Sequence, residues 1–157
     1  AFGGGFELAL AADLILAADT AEFALTEVTL GIMADSGGVL RLPKRIPLPI
    51  AMELLMTARR MSPDEAARWG LVNKVVPKDD LMNEARALAA TIAANAPLAL
   101  KAIKSVIKAT VPLDVKDGYA LMRSGAIPAY TAMLKSEDAL EGPRAFAEKR
   151  KPEWKGR

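Results

Sequence analysis

Short apolar segments alternate with polar breaks along the first half of the chain, and their spacing predicts its elements. Phe6-Glu7-Leu8-Ala9-Leu10-Ala11-Ala12 has the composition of a helix. Asp13-Leu14-Ile15-Leu16-Ala17 reads as a short buried strand and Glu22-Phe23-Ala24-Leu25 as a second, leaving Glu27 in the loop just after it. Residues 31–38 carry turn chemistry, and Ser36 is placed to cap a helix through Val39-Leu40-Arg41-Leu42. Beyond the break at Pro47-Leu48-Pro49, residues 50–56 are helical. Ser62-Pro63-Asp64-Glu65 then forms a capping box, with Ser at the cap, Pro in the first turn and Glu three residues on. That helix stops at Gly70, and Leu71-Val72-Asn73-Lys74-Val75-Val76 reads as a strand ended by Pro77.

From Asp79 onward the period becomes helical. Leu81, Met82, Ala85, Leu88, Ala89 and Ile92 share one face, and Pro97 starts the next helix. Leu98, Leu100, Ile103, Val106 and Ile107 line that helix, with Lys101, Lys104 and Lys108 on the opposite, solvated side. A longer helix is predicted from about Leu113 to Leu134, interrupted near Gly125 and Pro128. Ser136 caps a further turn, which Gly142-Pro143 is expected to redirect. The pattern therefore implies an α/β layer over residues 1–77 and a helical region over residues 78–157.

Composition narrows the chemistry. Of 157 residues, 52% are apolar and 25% charged, which is the balance of an ordinary globular chain. A net charge of +2 gives no signature of nucleic-acid or membrane binding, and no apolar run has membrane-spanning length. Cysteine is absent, which fits a reducing, cytoplasmic setting. With histidine absent as well, no Cys/His metal site and no Ser-His-Asp triad can be assembled, so Ser36 has no imidazole to activate it. Carboxylates, lysines and tyrosines remain as acid/base groups.

Gly3-Gly4-Gly5 runs straight into the first helix, with Glu7 on its first turn. Glycines there let a ligand approach the backbone, and the first helical N–H groups lack intrahelical acceptors. Such a place receives a phosphate, a carboxylate or a developing oxyanion. The run lacks the third glycine of a dinucleotide fingerprint, and no P-loop motif occurs. A glycine turn alone is as readily structural as functional. Glu7 and Glu27 lie 20 positions apart on different elements, and two carboxyls suffice to add water across a C=C bond. Two surface glutamates are the plainer alternative.

Ala1-Phe2-Gly3-Gly4-Gly5-Phe6-Glu7-Leu8-Ala9, Ala17-Ala18-Asp19 and residues 23–31 together resemble the active-site half of the enoyl-CoA hydratase/isomerase (crotonase) family. The likeness continues through Asp35-Ser36-Gly37-Gly38 and Arg41-Leu42-Pro43, and ends with residues 141–150. It implies that the chain corresponds to the C-terminal three-fifths of a family member: the C-terminal part of a ββα spiral core over 1–77, followed by a helical oligomerisation region over 78–157. A trimer or a dimer of trimers is the assembly it implies.

The resemblance further implies catalytic glutamates at Glu7 and Glu27, with Glu27 acting on the α-carbon and Glu7 handling the water. Gly4 would supply one oxyanion-hole N–H, its companion lying before Ala1. Asp35 would be a substrate-binding or acid/base group, able to attract the trimethylammonium of a carnitine-like acyl chain. Lys149 and Tyr130 would approach coenzyme A. The implied substrate is an acyl-CoA thioester, with no metal and no cofactor beyond the coenzyme A it carries. The implied activity is a lyase reaction, enoyl-CoA hydration or 3-hydroxyacyl-CoA dehydration. An isomerase using Glu27 and Asp35, or a non-catalytic acyl-CoA-binding module, are the alternatives. Thr26 and Ala34 stand where the family commonly has proline.

Overall fold

The computed structural model describes all 157 residues, which fall into two compact units, Ala1–Ala87 and Leu88–Arg157. In the first unit, helix α1 (Gly4–Ala11) follows Gly3, whose φ of 53° places the chain in the left-handed region. Strand β1 (Leu16–Ala18) pairs in parallel with β2 (Lys74–Val76), with Leu16 opposite Lys74 and Ala18 opposite Val76. The predicted strand at 22–25 is reduced to two isolated bridges, Phe2 with Ala24 and Phe23 with Met61. Phe23 keeps both backbone bonds to Met61, at 3.0 and 2.8 Å, so the residue is anchored although no ladder forms around it.

A 3-10 turn, Glu27–Leu30, leads through a loop into the short helix α2 (Gly38–Arg41), and α3 (Leu48–Thr57) and α4 (Pro63–Arg68) follow. Ser36 is not the cap of α2. Gly37 takes that position at φ 118°, and Ser36 contributes its carbonyl to Arg41 Nη1 at 3.0 Å. Half of the predicted capping box forms. Ser62 accepts the Glu65 N–H at 3.1 Å, but the Glu65 carboxylate turns to Arg59 at 2.7 Å. Arg59 also binds Glu53, tying α3 to α4, and its guanidinium holds the Glu65 carboxyl below the usual range. Phe6, Leu10, Leu42 and Met61 are almost wholly buried, and the Phe6 and Phe23 rings pack at 5.1 Å.

Helix α5 (Leu81–Ala93) bridges the two sequence ranges, and α6 (Pro97–Thr110), α7 (Val115–Arg123), α8 (Pro128–Leu134) and α9 (Glu137–Ala147) build the second unit. The helix predicted over 113–134 is interrupted where expected: α7 ends at Arg123, Gly125 turns at φ 85° and α8 starts at Pro128, while Asp114 caps α7 through the Asp117 N–H. Ser136 caps α9 as expected, by accepting the Ala139 N–H. Pro143 does not redirect the chain but sits inside α9. A proline costs about 3 kcal/mol in a helix interior, and the turns of α9 before it are anchored through Asp138 and Glu141. No single helix is long and apolar enough to cross a membrane.

That anchoring comes from the final residues, which have no regular structure but are fastened throughout. Asp138, 4% exposed, accepts the Lys155 and Gly156 N–H groups at 2.6 and 3.0 Å. Glu141 accepts the Glu153 N–H at 2.9 Å, and Trp154 donates from Nε1 to the Ala94 carbonyl. Arg150 holds the Glu141 carboxyl down to about 2, chiefly through their hydrogen bonds. A carboxyl lowered on folding stabilises above its unfolded pKa and loses that contribution as the pH falls through its folded value. The stability difference between the wild type and Glu141→Gln is therefore expected to hold from pH 8 to 5 and to shrink from about pH 4.5 to 2. Denaturant melts at several pH values would read it, and a gap that persisted at pH 2 would contradict it.

Candidate active site

The glycine run fixes where the first carboxylate stands. Gly3 N–H bonds the Ala24 carbonyl, Gly5 N–H bonds Phe2, and the Phe6 and Glu7 N–H groups both turn back to Gly3. The Gly4 N–H alone in this turn finds no acceptor within the chain. A free N–H at the start of α1 has the direction and polarity to receive an anionic oxygen. Nothing lies within 4 Å of where a Gly4 side chain would start, so the approach to that donor is open.

Glu7, one turn into α1, is 5% exposed. Its Oε1 accepts the Gly38 N–H at 2.8 Å, so the first residue of α2 holds a carboxylate carried by α1. A Cβ on Gly38 would stand 3.1 Å from that oxygen, 2.7 Å from the Ala34 Cβ and 3.0 Å from Leu25 Cδ1. Glycine is required there by close approach.

Glu27 opens the 3-10 turn and reaches back over the glycine run. Its Oε1 would lie 3.0 Å from a Cβ at Gly3. Its Oε2 is buried and has no hydrogen-bond partner. An unsatisfied buried carboxylate oxygen is costly and rare in native proteins. Glu27 is also a wall of an open cavity of about 310 Å³, otherwise lined by Leu25, Val28, Ile32, Met33, Ala34, Val39, Met52, Leu55 and Met56. It is the one ionisable group in that apolar lining.

The structure thus sets Glu27 against Gly3, beside Gly4, and Glu7 against Gly38, whose neighbours Leu25 and Ala34 line the cavity that Glu27 shares. Asp35 is exposed and absent from the cavity wall, with its N–H turned to the Met33 carbonyl. Tyr130 is half-buried on α8, and Lys149 follows α9 at φ 53°; both belong to the second unit.

Sequence reasoning missed Gly38 as the residue that holds Glu7, and it missed the cavity face of α3. The 52-55-56 spacing of Met52, Leu55 and Met56 carries a signal for that face, since it leaves flexible thioethers on one stripe of a helix.

The enoyl-CoA hydratase/isomerase family model matches residues 1–157, and the chain belongs to that family. It is 62% identical over 157 residues to the carnitinyl-CoA dehydratase of Proteus mirabilis, covering 100% of this chain and 60% of that protein. Among solved structures, it is similar to the enoyl-CoA hydratase of Mycobacterium tuberculosis H37Rv, with a TM-score of 0.91 and 42% identity, covering 61% of that chain. The enoyl-CoA hydratase of Bacillus anthracis gives a TM-score of 0.92 at 41% identity, with 59% of that chain covered. The chain therefore spans about 60% of the length of the relatives it matches. Its α/β fold with a small parallel sheet is the corresponding part of the crotonase fold.

Proposed function

We propose that this chain carries the two-glutamate part of an acyl-CoA lyase site, which adds water to an enoyl-CoA or removes it from the 3-hydroxyacyl-CoA. The observation that carries the reading is the buried, unpartnered Oε2 of Glu27 on a cavity whose other walls are apolar. In the hydration direction, the thioester oxygen accepts from the Gly4 N–H, which stabilises the enolate formed as water adds. Glu7, with Oε1 committed to Gly38, uses its other oxygen to take the proton from water. Glu27 delivers a proton to the α-carbon and takes it back in dehydration. Water's oxygen ends on the β-carbon, one of its protons on Glu7 and the Glu27 proton on the α-carbon; the π bond is lost, no oxidant or reductant is consumed, and proton exchange with solvent resets the two carboxyls.

Similarity to carnitinyl-CoA dehydratases favours an acyl chain of the carnitine type, and Asp35, exposed near the cavity loop, is the carboxylate offered to its trimethylammonium. The isomerase alternative requires Asp35 to work beside Glu27, and the exposure of Asp35 outside the cavity wall gives it less support. In ¹⁸O-labelled water, the full-length protein is expected to convert crotonyl-CoA or crotonobetainyl-CoA to a 3-hydroxyacyl-CoA carrying one label. Exchange of α-hydrogen without label would mean isomerisation, and tight binding without either would leave an acyl-CoA-binding module.

A further inference from the structure

The Gly38 N–H that holds Glu7 belongs to the peptide joining Gly37 to Gly38. Gly37 stands at φ 118° and ψ 0°, and a glycine rotates about both bonds with little steric restraint. A turn made of two glycines can swing that N–H away from the carboxylate as readily as toward it. The place of the Glu7 carboxylate therefore depends on what removes the freedom of Gly37.

Arg41 removes it from both sides. Its backbone N–H bonds the Gly37 carbonyl at 2.8 Å, which fixes the peptide that carries the Gly38 N–H. Its Nη1 bonds the Ser36 carbonyl at 3.0 Å, which fixes the peptide before Gly37. With both planes held, the two dihedrals of Gly37 are set. The backbone bond is open to any residue at this position of α2, whereas the second bond needs a long side chain ending in a donor. No backbone N–H takes the Ser36 carbonyl, so the guanidinium alone holds it. Arg41 is exposed, and burial does not account for its turning back along its own helix. It lies so close over Gly37 that a Cβ there would fall on the guanidinium.

We propose that Arg41 is a positioning residue for the water-adding step: its guanidinium locks the Ser36-Gly37-Gly38 turn, and that turn aims the Gly38 N–H at Glu7. This rests on the role given to Glu7 above. Arg41 meets neither water nor thioester in this scheme, and its effect on rate passes through Glu7.

The test uses Arg41→Gln, whose shorter side chain stops short of the Ser36 carbonyl, in the full-length enzyme. It is expected to lower kcat for hydration of crotonyl-CoA by about 10- to 10²-fold, the upper end being the cost of moving a reacting group by about 1 Å. KM should hold, and so should exchange at the α-carbon in deuterated water, which Glu27 performs. In a Glu7→Gln background the same substitution should cost no more than about twofold, because residues acting through one another are not additive. Arg41→Met gives the same readings should Arg41→Gln not fold. An unchanged kcat, an equal loss of hydration and exchange, or a full loss on top of Glu7→Gln would each overturn the proposal. The single Glu7→Gln variant tells the two failures apart. If it hydrates at the wild-type rate, the reading of Glu7 falls and the proposal with it. If it is crippled while the Arg41 effect adds to it in full, Glu7 keeps its role and only the positioning by Arg41 falls.

Discussion

Glu27→Gln is expected to lower kcat for hydration by about 10²- to 10⁴-fold, the range for loss of a positioned acid/base group. The substitution is nearly isosteric, and Glu27 opens a 3-10 turn whose backbone bonds do not depend on its side chain. What changes is the group at the cavity wall, where Oε2 has no partner and an amide cannot give or take the α-proton. Glu7→Gln is expected to cost a similar factor by a different route. The amide oxygen can still accept the Gly38 N–H, so α1 and α2 stay joined while the water loses its base. Their roles separate in deuterated water: Glu7→Gln should retain exchange at the α-carbon, and Glu27→Gln should lose it. Near-wild-type turnover in either variant would remove the two-glutamate mechanism. The opposite exchange pattern would reverse the roles.

The second large effect is expected at Gly38→Ala. The added methyl would meet the Ala34 Cβ at 2.7 Å, and that atom cannot swing away because it is fixed to the backbone. Leu25 and the Glu7 carboxylate are the other neighbours, at 3.0 and 3.1 Å. Overpacking of this kind typically costs about 1–3 kcal/mol. A shift of about 1 Å in a reacting group can cost about 10²-fold in rate. Gly38→Ala should therefore lower both the denaturation midpoint and kcat, with kcat falling further than lost folded protein explains. Gly5→Ala is the control for stability, because nothing lies within 4 Å of its added methyl. If Gly38→Ala keeps both stability and rate, the Gly38–Glu7 contact does not set the carboxylate.

The parts of this fold legible in the sequence are those governed by local chemistry. Ser62 and Ser136 cap helices because each presents an oxygen to the N–H three residues on, a rule contained in four consecutive residues. Gly4, Glu7 and Glu27 are legible because the glycine run and its family resemblance name them together. The misreadings share a cause outside the local window. Ser36 loses the cap to Gly37, at φ 118°, against which the Arg41 guanidinium closes to bond the Ser36 carbonyl. Pro143 stays helical in a helix that is fastened by residues 12 to 18 positions away. The cavity was invisible for the same reason. Its wall joins Glu27 and Met33 to Met52 and Met56, and no pattern within α3 says what that face looks onto.

The chain contains two tryptophans, and the fold puts one in each unit: Trp69, bonded to Glu65, and Trp154, bonded to the Ala94 carbonyl in the fastened terminal stretch. Each unit consequently carries its own fluorophore. With Trp69 replaced by Phe, the remaining emission would report the terminal stretch alone, its indole leaving the Gly142 contact for water as that stretch comes loose. The two units can then be followed separately in one unfolding titration, without labels.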